Sequence, residues 1–121
     1  MLQTGVDLIE IKRINLAIER HGSRFLKRIF TNKELALFGK NIPSLASRFA
    51  GKEAVSKALC TGIGDIEWQE IEILRGAEKE PLLLLHGEAK RIAAKKNLTV
   101  WSISLSHTHE YAIATVVALE K

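Results

Sequence analysis

The 121-residue sequence carries a single cysteine, Cys60, so no disulfide can form within the chain. A disulfide-stapled secreted scaffold is thereby excluded. No apolar run approaches the ~20 residues of a membrane-spanning helix. The opening stretch, MLQTGVDLIEIKRI, lacks the basic head and small-residue cleavage site of a secretory signal. A reducing cytoplasm is the expected location, with no membrane partner. No repeat, low-complexity tract or linker interrupts the chain, which predicts one domain over residues 1–121. Familiar catalytic signatures are missing too. There is no Gly-x-Ser-x-Gly elbow, no zinc spacing of cysteine and histidine and no recognisable DNA- or RNA-binding motif.

What is present is a chain with 46% hydrophobic and 26% charged residues. That suffices for one core, though a domain this small gains from oligomerisation. The net charge of +4 is unevenly spread. Residues 1–60 hold 11 Lys/Arg against 5 Asp/Glu, and residues 61–121 hold 7 against 9. A basic first half implies an anionic partner: a phosphate-rich small molecule, an acidic protein or nucleic acid.

The hydrophobic pattern predicts a strand over 2–9, then a helix over about 11–22 with Ile11, Ile14 and Ile18 on one face and Gly22 as its stop. Thr31 and Glu34 have the spacing of a capping box, opening a short helix that ends near Gly39. Pro43 and Ser44 lead into a helix carrying RFAGKEAVSKAL, which ends before Thr61-Gly62-Ile63-Gly64. Alternation predicts strands at Trp68–Arg75 and Pro81–His86. A helix over 87–96 follows, closed by Asn97. Leu98–Leu105 and Tyr111–Leu119 predict a hairpin about the turn SHTHE. The order predicts a small α+β domain with a mainly antiparallel sheet packed on helices.

Two acidic residues stand out. At about 100° per residue, Ala50, Ala54 and Ala58 share one side of the motif helix. Lys52, Glu53, Ser56 and Lys57 fall on the other, with Phe49 and Cys60 among them. A surface Glu53–Lys57 pair would explain this with no function. Asp7, however, lies inside Gly5-Val6-Asp7-Leu8-Ile9, where aspartate is depleted unless it caps the next helix or binds a ligand. Asp7 and Glu53 together could hold Mg²⁺, with Arg48, Lys52 and Lys57 on phosphate oxygens.

Near the end of the chain, Ser102, Ser104 and Ser106 share one strand face, with His107 and His109 in the turn beyond. A polar hairpin turn and the wall of a phosphate channel both fit. Between Lys12 and Arg28 the chain has six basic residues and one acid, Glu19. Arg13, Leu16, Arg20, Arg24, Phe25 and Arg28 interleave charge with apolar groups, which suits a partner that is acidic and partly hydrophobic.

Three stretches resemble the holo-[acyl-carrier-protein] synthase family, the small bacterial type of 4′-phosphopantetheinyl transferase. They are Gly5-Val6-Asp7-Leu8-Ile9-Glu10-Ile11 with Arg13-Ile14; Arg48-Phe49-Ala50-Gly51-Lys52-Glu53-Ala54 running through Ser56-Lys57-Ala58 to Thr61-Gly62-Ile63-Gly64; and Ser104-Leu105-Ser106-His107-Thr108. Two departures are visible. Cys60 stands where the family usually has glycine, and Lys79-Glu80-Pro81 replaces its common Gly-Lys-Pro turn.

The resemblance implies the family's fold and a homotrimer with sites between subunits. It implies transfer of 4′-phosphopantetheine from coenzyme A to a serine of apo acyl carrier protein, leaving adenosine 3′,5′-bisphosphate, in support of fatty acid biosynthesis. Asp7 and Glu53 would hold Mg²⁺. Arg48, Lys52, Ser56, Lys57, Ser106 and His107 would bind coenzyme A. Glu53 through a water, or His107, would accept the proton, beside catalytic Lys57. Arg13, Leu16, Arg20, Arg24, Phe25 and Arg28 would dock the acidic carrier. The competing expectation is a non-catalytic basic module gripping an acidic protein or nucleic acid, which would leave Asp7, Glu53 and Lys57 without a joint purpose.

Overall fold

A computed structural model describes residues 1–121. The elements run β1 (Leu2–Glu10), α1 (Ile11–His21), α2 (Ser23–Ile29), α3 (Asn32–Phe38), α4 (Ile42–Ala58), a 3₁₀ turn (Trp68–Glu70), β2 (Ile71–Arg75), β3 (Pro81–Leu85), α5 (Gly87–Lys95), β4 (Leu98–His107) and β5 (Tyr111–Glu120). The α+β expectation holds. The antiparallel strands form two sheets, one of order β1-β5-β4 and the other the hairpin β2-β3. Two local expectations change. Residues 23–29 form a separate helix after Gly22, and the predicted strand at Trp68 begins as a 3₁₀ turn. No helix is long and apolar enough to cross a membrane.

Helix α4 is the centre of the molecule. Its N-cap Asn41 accepts from the Ser44 backbone N–H, and Pro43 sits in the first turn, where a missing N–H costs nothing. Ala50, Ala54 and Ala58 are fully buried, as are Ala112, Ala114 and Ala118 of β5. Small side chains on both partners let helix and sheet lie close. At Gly5 of β1 the approach is closest: a Cβ there would lie 1.9 Å from the Ala54 carbonyl oxygen. On another side of α4, Gly51 admits Ile73 of β2, whose Cδ1 would be 2.6 Å from an added Cβ.

The second face of the three-stranded sheet has no cover. Leu2, Val6 and Leu8 of β1 are exposed, beside Tyr111, Ile113, Val117 and Leu119 of β5 and Val100 of β4. Leu8, opposite Ile113, is 60% exposed. Ser102, Ser104 and Ser106 lie on this same outer face, opposite Val117, Thr115 and Ile113.

Both departures from the resembled family fall at left-handed backbone. Cys60 has φ 62° and Lys79 has φ 66°. A side chain there meets the following carbonyl, at a cost of about 1–2 kcal/mol that glycine avoids, partly offset by glycine's larger unfolded-state entropy. Cys60→Gly and Lys79→Gly are each expected to stabilise the fold by roughly 0.5–1 kcal/mol, read as a rise in the urea midpoint at unchanged slope.

Candidate active site

From Leu45 to Leu59 of the α4 region, only Phe49, Glu53 and Lys57 escape full burial. Their spacing of four puts them on one helical stripe. That stripe faces β1. The three residues line a cavity of about 510 Å³ with Asp7, Arg13 and Phe25 among its other walls. Asp7 reaches it because its cross-strand partner is the buried Ala114, which fixes the Asp7 side chain on the helix face of the sheet.

The Lys57 ammonium donates to the Val6 carbonyl at 2.9 Å and to Asp7 Oδ1 at 3.3 Å. Burial raises the Glu53 carboxyl above its usual range; the negative field of Asp7 adds to this and Lys57 opposes it. Two carboxylates therefore press on each other across one cavity, relieved only in part by one ammonium. Such a donor set fits a hard divalent cation such as Mg²⁺. No cluster of three or more His, Cys, Asp or Glu side chains occurs. The chain offers two carboxylates, so a bound cation would take its other oxygens from a ligand and water.

Two expected phosphate contacts are corrected by the packing. Lys52 is not on an open polar side. It is 0% exposed, and its ammonium donates to Glu34 Oε1 at 2.8 Å and to the carbonyls of Trp68 and Ile71. With all three N–H donors engaged, none remains for a phosphate. Burial lowers the pKa of this ammonium, and the fields of Glu34 and Glu72 and the hydrogen bond to Glu34 resist that shift. Ser56 is likewise fully buried, and its hydroxyl donates to the Glu53 carbonyl of its own helix. The helical projection placed both residues opposite the alanine face correctly. It could not show that β2 and the 3₁₀ turn cover that side as well.

Arg48 is also set back from the cavity. It is 8% exposed, its guanidinium lies 3.7 Å over the Phe38 ring, and it donates to the carbonyls of Ile73 and Leu74 at 3.4 Å. Burial, together with the nearby Arg75, outweighs the stabilising field of Glu34 and brings its pKa to about 10. Ser106 and His107 are exposed, and neither lines the Asp7–Glu53 cavity of the same chain. His107 instead lines a separate opening with Pro43, Thr108 and His109.

The basic surface sits next to the cavity. Arg13 and Phe25 line it, while Arg24, Phe25 and Arg28 line a smaller adjoining recess with His21. Leu16 and Arg20 are exposed on the same helical pair. Sequence reasoning missed two residues of the site's support. Glu34 was legible only as a capping residue, and it does cap Thr31, yet it also neutralises Lys52 and accepts from the Ile73 N–H. Trp68 stacks on Phe49 with ring centroids 4.6 Å apart. No local pattern joins positions so far apart in the chain.

Residues 3–116 match the 4′-phosphopantetheinyl transferase superfamily, described under the heading ACPS. The Dehalococcoides mccartyi holo-[acyl-carrier-protein] synthase is 50% identical over 118 residues, covering 98% of each chain. The chain belongs to the holo-[acyl-carrier-protein] synthase family. The synthase of Herpetosiphon aurantiacus is 45% identical over 126 residues, covering 98% of this chain and 99% of the relative. A crystal structure of the Helicobacter pylori synthase in complex with coenzyme A superposes with a TM-score of 0.88 at 35% identity, covering 96% of this chain and 99% of that one. Family membership thus makes this chain an enzyme, a phosphopantetheinyl transferase.

The Gly5–Ala54 contact sets how near Asp7 comes to the Glu53 stripe. Gly5→Ala is expected to push β1 from α4, with a loss of about 1–3 kcal/mol or more from overpacking. A thermal melt measures the stability loss, and transfer assayed well below the transition is expected to fall with it.

Proposed function

We propose that this chain transfers the 4′-phosphopantetheine arm of coenzyme A to a serine of apo acyl carrier protein, in the cytoplasm, in the service of fatty acid synthesis. One observation supports this above the rest: the Phe49–Glu53–Lys57 stripe meets Asp7 in one cavity bordered by basic helices. A cavity with two carboxylates, an exposed lysine and an arginine suits a diphosphate carrying its own cation better than a neutral ligand. The coenzyme A complex of the Helicobacter pylori relative supports the same ligand here.

In this reading Asp7 and Glu53 hold Mg²⁺, which supplies charge neutralisation on the diphosphate when bound. Lys57 exchanges its Asp7 contact for non-bridging phosphate oxygens. The serine oxygen of the carrier forms the new bond to the phosphorus that bears pantetheine. The bond from that phosphorus to the bridging oxygen breaks, and adenosine 3′,5′-bisphosphate leaves. Glu53 accepts the serine proton through a water, from its place in the cavity beside Asp7 and Lys57. The nucleophile comes with the partner, which agrees with a chain that has no nucleophile elbow. Arg13, Leu16, Arg20, Arg24, Phe25 and Arg28 receive the acidic carrier beside the cavity. The rival module, a basic surface without chemistry, gives the Asp7–Glu53 pair no role.

The assembly we propose is a homotrimer joined through the bare sheet face. That face is too apolar and continuous to be an ordinary solvated surface. Ser106 and His107, which do not line the cavity of their own chain, would then serve the coenzyme A cleft of a neighbour.

Intact-mass analysis of apo acyl carrier protein mixed with coenzyme A, Mg²⁺ and this chain tests the activity. The carrier is expected to gain one phosphopantetheine, and chelation is expected to stop the gain. Asp7→Ala should reduce the rate by at least about 100-fold, while carrier binding by titration calorimetry persists. Indifference of the rate to both chelator and Asp7 would reject the reading. The shared site has its own test. Asp7→Ala and His107→Ala subunits are each expected to be defective alone, and co-expressed mixed oligomers should recover transfer, because some sites then combine one intact half from each.

A further inference from the structure

The deepest charges in the molecule have no part in the chemistry described above. Lys52 and Glu34 are both 0% exposed and 2.8 Å apart. A hydrophobic pair of similar volume would fill that space without desolvating two ions. What a hydrophobic pair cannot do is bind three separate segments in fixed register. Glu34 accepts from the Thr31 N–H at the start of α3 and from the Ile73 N–H of β2. Lys52, on α4, donates to the Trp68 carbonyl of the 3₁₀ turn and to the Ile71 carbonyl at the start of β2. The pair therefore pins α3, the 3₁₀ turn and β2 onto α4, one residue from Glu53.

The connection to the site runs through Trp68. Its carbonyl is held by Lys52, and its indole stacks on Phe49 at 4.6 Å. Phe49 is the first member of the open stripe and lines the cavity with Glu53 one turn further on. The rest of α4 cannot press Phe49 from outside, because it is the same helix. Trp68 presses on it by stacking from another element, and Trp68 belongs to the 3₁₀ turn that Lys52 holds. We propose that the buried Lys52–Glu34 pair is the positioning device of the active site: through Trp68 and Phe49 it fixes the wall against which Glu53 is aimed at Asp7. The lysine beside the acidic ligand acts inward, on the cavity's frame, and its neighbour acts outward, on the substrate.

This inference rests on the transfer reaction proposed above, so its test includes a reading that needs no substrate. Glu34→Gln with Lys52→Met removes both charges together and avoids a stranded ion. Trp68→Leu leaves the buried pair intact and removes only the stack. Both are checked for folding by circular dichroism. Each is expected to lower kcat by about 10–100-fold, the range for a catalytic group misplaced by up to an ångström. Each should also raise the Mg²⁺ concentration for half-maximal rate, with the KM for the carrier changed less than kcat, since no residue of α1 or α2 is substituted. In a Trp101→Phe background, where Trp68 is the remaining tryptophan, Glu34→Gln with Lys52→Met should change the emission maximum and acrylamide quenching. A merely structural pair would lower the melting temperature and leave kcat, the Mg²⁺ midpoint and Trp68 emission at wild-type values below the melt. That outcome overturns the proposal, as does a wild-type kcat in folded Trp68→Leu. Glu72→Gln, which removes a neighbouring carboxylate charge and leaves the Lys52–Glu34 and Lys52–Trp68 hydrogen bonds in place, is the control and is expected to keep wild-type kcat. If the wild-type protein transfers nothing, the activity reading fails. The fluorescence comparison still decides whether the pair holds Trp68.

Discussion

The close approach of α4 to the β1–β5 sheet is the constraint on which the rest of the structure depends. Alanine faces alanine across that interface, and Gly5 lets a strand backbone touch a helix carbonyl. Protein interiors pack near crystal density, so a contact this tight has one low-energy arrangement rather than a range. The helix cannot roll without driving a methyl group into backbone. Its open stripe therefore faces one direction, toward the strand that carries Asp7. A larger residue at any of these positions would overpack the interface and blur the aim of the carboxylates.

Around that contact the charged residues divide by depth. Lys57 and Glu53 keep access to the cavity, Arg48 is nearly enclosed, and Lys52 is sealed. One helix thus carries several basic or acidic side chains with quite different energetics. The sealed lysine depends on its partner: removing one member of such a pair alone would leave an uncompensated charge at a cost on the order of 3–5 kcal/mol. The open lysine makes contacts that solvent screens and a ligand can replace.

Much of this was legible in the sequence, because local chemistry specifies it. The Thr31–Glu34 capping box, the alanine face of α4, the hairpin about SHTHE and the first strand with its aspartate all follow from spacing and residue type. They appear within a residue or two of their expected limits. The family motifs carried the site to Asp7, Glu53 and Lys57, which meet in one cavity. What eluded the sequence was everything set by a third partner. A helical projection separates an apolar face from a polar one, but it assumes one covered side. Here the hairpin β2-β3 and the 3₁₀ turn cover a second side, so Lys52 and Ser56 lie inside. The left-handed backbone at Cys60 and Lys79 was hidden for a related reason, since neither residue type announces that conformation.

The open stripe on α4 also bears on how such a protein can change. Most side chains of that helix are locked by packing, so mutation has little room there and the Glu53 stripe keeps its direction. The first two helices present solvent-facing arginines that support little of the core. Under the proposed docking on those helices, changes in partner preference can accumulate there while the α4 stripe stays fixed, so lineages diverge in whom they serve long before they diverge in what they do.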